Sequence, residues 1–223
     1  MNSQTPTQVP SAALEVYTGI RNEVVWLHAR WIIYKQLFTT SERRLDLLNA
    51  AAPSVFYVLQ TTLIADTIIT LCKLTDGART GRHENLTLAQ LIARLRPIAP
   101  ASLFAELESM LVDIGQVCAA FREHRNKQLA HFDLYTVIAP AANPLPGVTN
   151  EMIEDAIHSI ATLLNKIQIH YDDTETRYQH FIMSGTDGDA LAHVVKEGLR
   201  YQELMDEEAI PYDDINNGEW SDC

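Results

Sequence analysis

Apolar residues recur three and four positions apart along most of the chain, the spacing of helices with one buried face. Ser11 is placed to cap the first, over about residues 12–38, where Leu14, Tyr17, Val24, Leu27, Trp31 and Tyr34 share a stripe. Ser41 opens a short second helix to residue 51. Pro53 suits the first turn of a long third one reaching residue 74, since its missing N–H costs nothing there. The stretch from Asp76 to Gly81 ends that helix in a loop, after which Asn85 or Thr87 caps a helix over 88–95. Arg96-Pro97 and Pro100 break the chain before a longer helix over 101–131. Past a Pro-rich connection at 139–147, Thr149 or Asn150 starts a helix to about residue 171, with Ile153, Ile157, Ile160, Leu164 and Ile167 facing inward. Asp187 caps a last helix over 188–205. No convincing strand pattern or repeat is present, so the expected architecture is an all-α antiparallel helical bundle with an extra C-terminal helix.

The helix over 101–131 carries the residue least expected of it. At about 100° per residue, Leu111, Ile114, Cys118, Phe121, Leu129 and Phe132 fall on one stripe, and Arg125 lands in its middle. A guanidinium keeps its charge and is costly to bury alone, so Arg125 faces a carboxylate, a subunit interface or a pocket for an anion. Asp66 is the carboxylate this reasoning offers, because it sits on the third helix among Val55, Leu59, Thr62 and Ile69, again on an apolar stripe.

Composition narrows the class. The 223 residues include nine Gly, nine Pro and 47% apolar side chains, which fits a compact domain and excludes low-complexity chains. Residues 1–10 read as a disordered start, 11–206 as one helical domain and 207–223 as an acidic flexible tail. Cys72, Cys118 and Cys223 are scattered and odd in number, so neither a disulfide framework nor a thiolate metal site is expected, and the expected home is a reducing cytoplasm. No signal peptide is recognisable, and the most apolar segment, 55–74, carries Gln60, Asp66 and Lys73, so it reads as a core helix and no membrane is implied.

Net charge is −12, which opposes tight, sequence-independent binding of a nucleic-acid duplex. Eight of the 29 acidic residues and none of the 17 basic ones lie in 201–223, leaving the first 200 residues at −4. Two basic regions stand out against that nearly neutral body. One holds Arg79, Arg82, His83, Arg94 and Arg96; the other holds Arg122, His124, Arg125, Lys127 and His131. A transient contact with RNA is compatible with both.

The second region lies within Phe121-Arg-Glu-His-Arg-Asn-Lys-Gln-Leu-Ala-His-Phe-Asp133, where Arg125 is followed by the polar Asn126 and, after five intervening residues, by His131. This resembles the signature of the HEPN superfamily. Arg44-Leu-Asp-Leu-Leu-Asn49, Ala52-Pro-Ser-Val-Phe56, Leu74-Thr-Asp76, Asn85-Leu-Thr-Leu88 and Ala130-His-Phe-Asp133 are similar, in the same order, to its abortive-infection U-type branch, over roughly residues 14–135. The resemblance implies a small helical domain that cuts RNA without a metal or other cofactor. It implies His131 for proton transfer, Arg125 for steadying the phosphoryl charge and Asn126 for orienting the imidazole or substrate. It further implies single-stranded RNA as substrate, a homodimeric site, a role in phage defence or as a toxin, and with the latter an antitoxin partner.

Geometry bears on the dimer independently. Six residues along a regular helix rotate by about 600°, leaving Arg125 and His131 roughly 120° apart, so one chain does not readily complete the site; pairing two motif helices about a twofold axis would. Arg122, His124 and Lys127 form either an RNA-holding cationic strip or a solvated edge of the bundle, and Asp133 either orients an imidazole or caps a helix end. Two other functions stay open: a non-catalytic module binding RNA, a nucleotide or a protein, and a structural dimerisation domain in which Asp66 neutralises Arg125. No His-Glu-x-x-His, nucleotide-cradling Gly-rich loop or Gly-x-Ser-x-Gly occurs, and His28, His158, His170, His180 and His193 are dispersed.

Overall fold

The computed structural model describes residues 8–180 and 185–209; of the disordered start expected over 1–10 and the acidic tail expected over 207–223, residues 1–7 and 210–223 lie outside them. The described chain is helical apart from one small hairpin. In order it runs α1 (Ser11–Phe38), α2 (Glu42–Ala51), α3 (Pro53–Thr75), β1 (Arg79–Thr80), β2 (His83–Glu84), α4 (Leu88–Leu95), α5 (Ala101–Val117) and α6 (Ala119–His124). A π turn (Arg125–Leu129) follows, then α7 (Leu134–Ile138), α8 (Asn150–Asp172), a 3-10 turn (Tyr178–His180) and α9 (Gly188–Asp206). These elements form two compact units, one of residues 8–31 with 63–180 and one of 32–62 with 185–209, so α1 and α3 each contribute to both.

In the first unit α5 packs on α8 and α4. Tyr17, Val24 and Leu27 of α1, Leu71 and Leu74 of α3, Leu107 and Ile114 of α5 and Ile153, Ile157, Ile160, Leu164 and Ile167 of α8 are almost fully buried there. The caps are local and sequence-written: Thr87 accepts the N–H of Gln90, and Thr149 that of Met152, so each starts its helix by satisfying an otherwise orphaned donor. Val9 is buried and donates its N–H to Asp172 Oδ1 at 3.2 Å, which ties the described end of the N-terminal segment to α8.

In the second unit α9 packs along α2. Gly188 starts α9 against α1, where a Cβ would stand 2.9 Å from the Gln36 side chain and 3.0 Å from the Ile33 carbonyl. Gln36 accepts the Gly188 N–H at 3.0 Å and donates to Asp187 at 2.9 Å, while Arg44 pairs with Asp189 at 3.0 Å.

Two expectations change. The segment 76–87, read as a loop, closes as a two-residue antiparallel hairpin about Gly81, whose φ of 59° suits a residue without Cβ. The stripe read as buried on α3 is not the inward one, since Val55 and Leu59 are exposed and the buried positions are Phe56, Thr67, Ile68, Thr70, Leu71, Cys72, Leu74 and Thr75. A helix apolar nearly all round gives periodicity no basis for choosing a face. By length and composition α3 would also pass for a membrane span, with mean hydropathy 1.6 over its most apolar window. Its C-terminal half is built instead into the core of the first unit.

Candidate active site at the end of the third helix

The site begins with a cation that is spent on structure. Where the chain breaks between α5 and α6 at Cys118, Arg122 donates from Nη1 to the Gly115 carbonyl at 2.8 Å. From Nη2 it reaches the Thr75 carbonyl and Oγ1, both at 2.9 Å. A guanidinium on the terminal carbonyls of α3 also suits the negative end of that helix dipole. Arg122, expected on an RNA-holding strip, is therefore the clamp that fixes the end of α3 against the α5–α6 junction.

That clamp sets the next contact, because Asp76 follows Thr75 and Arg125 lies three residues past Arg122. Arg125 Nη1 meets Asp76 Oδ2 at 2.6 Å, and Arg125 Nε donates to Asn126 Oδ1 at 3.0 Å. Arg125 is about one-fifth exposed, and the carboxylate beside it holds its pKa above the usual arginine value against the opposing effect of burial. Of the five guanidinium N–H groups, three are uncommitted among the described residues. Asn126 thus holds Arg125 through its Oδ1.

Asp66, expected to face Arg125, pairs with Arg30 on α1 at 2.8 Å and is nearly half exposed. Its replacement by Asp76 follows from the position of the carboxylates. Asp66 lies ten residues back along α3, about 15 Å of helix, whereas Asp76 stands where Arg122 pins the helix end.

The motif helix does not run regularly to His131. The Ala130 N–H bonds the Arg125 carbonyl five residues back at 2.8 Å, so Arg125–Leu129 form one π turn, a feature often found at functional sites. Beyond it His131 is off the helix and exposed, with no hydrogen bond or ion pair among the described residues. The 120° separation computed for a regular helix therefore does not apply. The wider turn also alters the phase of the apolar stripe: Phe121 is fully buried, Leu129 only partly so, and Phe132 is 85% exposed.

The remaining candidates serve locally. His124 donates from Nε2 to the Pro146 carbonyl at 2.7 Å, a tautomer required because a carbonyl can only accept, and so pins the Pro-rich connection to the motif. Lys127 pairs with Glu123 at 3.2 Å on the surface. Asp133 caps α7, accepting both the N–H and the hydroxyl of Thr136, and the first of these bonds lowers its pKa below the ordinary carboxylate value. Burial raises the Cys72 thiol to about 11 and that of Cys118 upward as well, so neither is a thiolate nucleophile at neutral pH.

Asp76 is the residue sequence reasoning missed, although it closes the Leu74-Thr-Asp76 piece; the available signal was a carboxylate at the end of an apolar helix. It also lines a cleft of about 570 Å³ in the first unit, with Asp66, Arg30, Lys73, Glu23 and Asn85. Among the described residues no group of three or more His, Cys, Asp or Glu is arranged to hold a metal.

A helical frame carrying Arg125, Asn126 and His131 at this spacing is of HEPN type. The chain belongs to the AbiU2 family of HEPN domains, whose profile matches residues 11–190 and ends within α9. That membership points to a role in abortive infection. No curated protein and no solved structure matches the chain.

Proposed function

We propose that the chain is a metal-independent endoribonuclease that acts as a homodimer on single-stranded RNA in phage defence or as a toxin. One contrast carries this reading: among the described residues, a cation is held in place by Asp76 and Asn126 with three N–H groups to spare, followed by an imidazole that none of them holds. His131 takes the proton of a ribose 2′-hydroxyl while that oxygen attacks the adjacent phosphorus. Arg125 meets the charge growing on the phosphoryl oxygens, and the 5′-oxygen leaves with a proton, giving a 2′,3′-cyclic phosphate and a 5′-hydroxyl. The dimer is supported by Phe132, Leu134, Tyr135, Val137 and Ile138, a run of exposed apolar side chains that begins next to His131. A second copy covering it about a twofold axis would bring another motif to this one.

The second reading is a non-catalytic or structural module, and the Arg125–Asp76 ion pair favours it, because the guanidinium is already neutralised within the chain. Cleavage separates the two. The protein in EDTA should cut single-stranded RNA and leave a cyclic phosphate, and His131→Ala should lower the rate by about 10²–10⁴-fold while keeping the melting temperature. Mixing Arg125→Ala with His131→Ala chains should restore part of the activity of a shared site. RNA bound but never cut would favour the second reading.

A further inference from the structure

Resting on the ribonuclease reading, we propose that the cleft beside Asp76 is a base-recognition site for a nucleobase rich in N–H donors, guanine foremost. The base belongs to the nucleotide next to the phosphate held by Arg125. The two sites share one residue: Asp76 gives Oδ2 to Arg125, while its Oδ1 is uncommitted among the described residues and the side chain lines the cleft. At about 570 Å³ the space suits a nucleoside-sized group. It is a built wall, since Leu86 of the loop rests on Gly19 of α1, where an added Cβ would stand 3.0 Å from it, one turn before Glu23.

The polar groups left over define the ligand. Asp66 is matched by Arg30, Asp76 by Arg125, and the lining Glu84 by both Arg79 and Arg94, so these ion pairs do not make the cleft anionic. Glu23 has no partner among the described residues. Asn85 commits its amide N–H groups to the Gly77 carbonyl and the Thr80 hydroxyl, which leaves its carbonyl oxygen to accept. Donors are present too, on Lys73 and on Arg30, which commits only Nε to Asp66 and one Nη2 N–H to Thr70. The unmatched carboxylate of Glu23 is what selects the occupant: a phosphate, which only accepts, would be set against it, whereas a base edge with an exocyclic amine can donate to it. Guanine presents adjacent N1–H and N2–H₂ donors to a carboxylate, cytosine and adenine present one amine each, and uracil has no amine and only its ring N3–H, flanked by two carbonyl acceptors. Lys73 is then placed for the backbone phosphate of the same nucleotide.

The test uses the full-length His131→Ala chain, which leaves RNA uncut, and four labelled RNA pentamers identical but for one central G, C, A or U. Anisotropy should show the G pentamer bound about tenfold more tightly than the U pentamer. Glu23→Gln, isosteric and exposed, should reduce that ratio to about twofold with U binding unchanged. Glu23→Lys should abolish the preference for G over U. Equal affinity for G and U, or a preference that survives both variants, overturns the base site while leaving the ribonuclease reading intact, provided that binding weakens on Arg125→Ala. Failure to bind any pentamer overturns both.

Discussion

The two halves of the segment from Cys118 to Ile138 are built on opposite terms. In the first half Phe121 is fully buried, Arg122 ties three oxygens of α3 and α5 together, and Arg125 is held by Asp76. In the second half His131 has no described partner, and Phe132, Tyr135 and Ile138 face solvent at 85, 64 and 66% exposure. The π turn is the seam between them. On the proposed function, such a site would have its anion-binding half finished within one chain and its proton-transfer half unsupported. That is the form expected of a site completed by something that covers the second half.

The sharpest way to break this contrast is to remove the clamp. Arg122→Ala leaves the Gly115 and Thr75 oxygens without the guanidinium, each such loss costing about 1–3 kcal/mol. At about 2–4 °C per kcal/mol for a chain of this length, the expected outcome is a melting temperature lower by at least roughly 6 °C. Arg122→Lys, with one flexible ammonium for a planar fork, should recover only part of it. If the clamp also positions the site, RNA affinity falls in both variants through displacement of Asp76 and Arg125. An unchanged melting temperature would show that the first half does not depend on Arg122.

How far the sequence discloses this arrangement depends on how many faces each helix could bury. On α8 the apolar residues occupy one side only, and Ile153, Ile157, Ile160, Leu164 and Ile167 are all buried as the spacing requires. The caps Ser41, Thr87, Thr149 and Asp187 are legible because each is a short polar side chain bonding an N–H three residues ahead. On α3 the same arithmetic fails, since apolar residues surround the helix and Asp66 falls on a half-exposed face beside Arg30. In the motif, Arg125, Asn126 and His131 are found by spacing alone, but the π turn that separates them adds a residue to the turn. Asp76 escapes for a different reason: its role depends on a contact between segments 49 residues apart.

A smaller effect on the fold, but a decisive one for assembly, is expected from the second half. Phe132→Asp and Tyr135→Asp place charge on side chains that are already exposed, so the melting temperature should move by no more than the fraction of a kcal/mol usual for surface changes. Light scattering at micromolar concentration should nevertheless show dimer for the unmodified chain and monomer for both variants, with cleavage lost alongside the dimer. Monomer from the unmodified chain would instead remove the reason for the exposed patch offered here.

The smallest effect concerns charge that belongs to neither half. Residues 207–223 carry Glu207, Glu208, Asp213, Asp214, Glu219 and Asp222 and no Lys or Arg, so deleting them shifts the net charge from −12 to −6. The deletion leaves α9, which ends at Asp206, its full length. A polyanion is repelled by such charge only within the reach of the field, about 30 Å at 0.01 M salt and about 3 Å at 1 M. RNA affinity of the truncated chain should therefore rise a few-fold at low salt and converge with the full chain at high salt, with the melting temperature unchanged. An affinity gain that persists at 1 M would mean that these residues occupy the RNA path by contact. A large loss of melting temperature would mean that they are part of the fold.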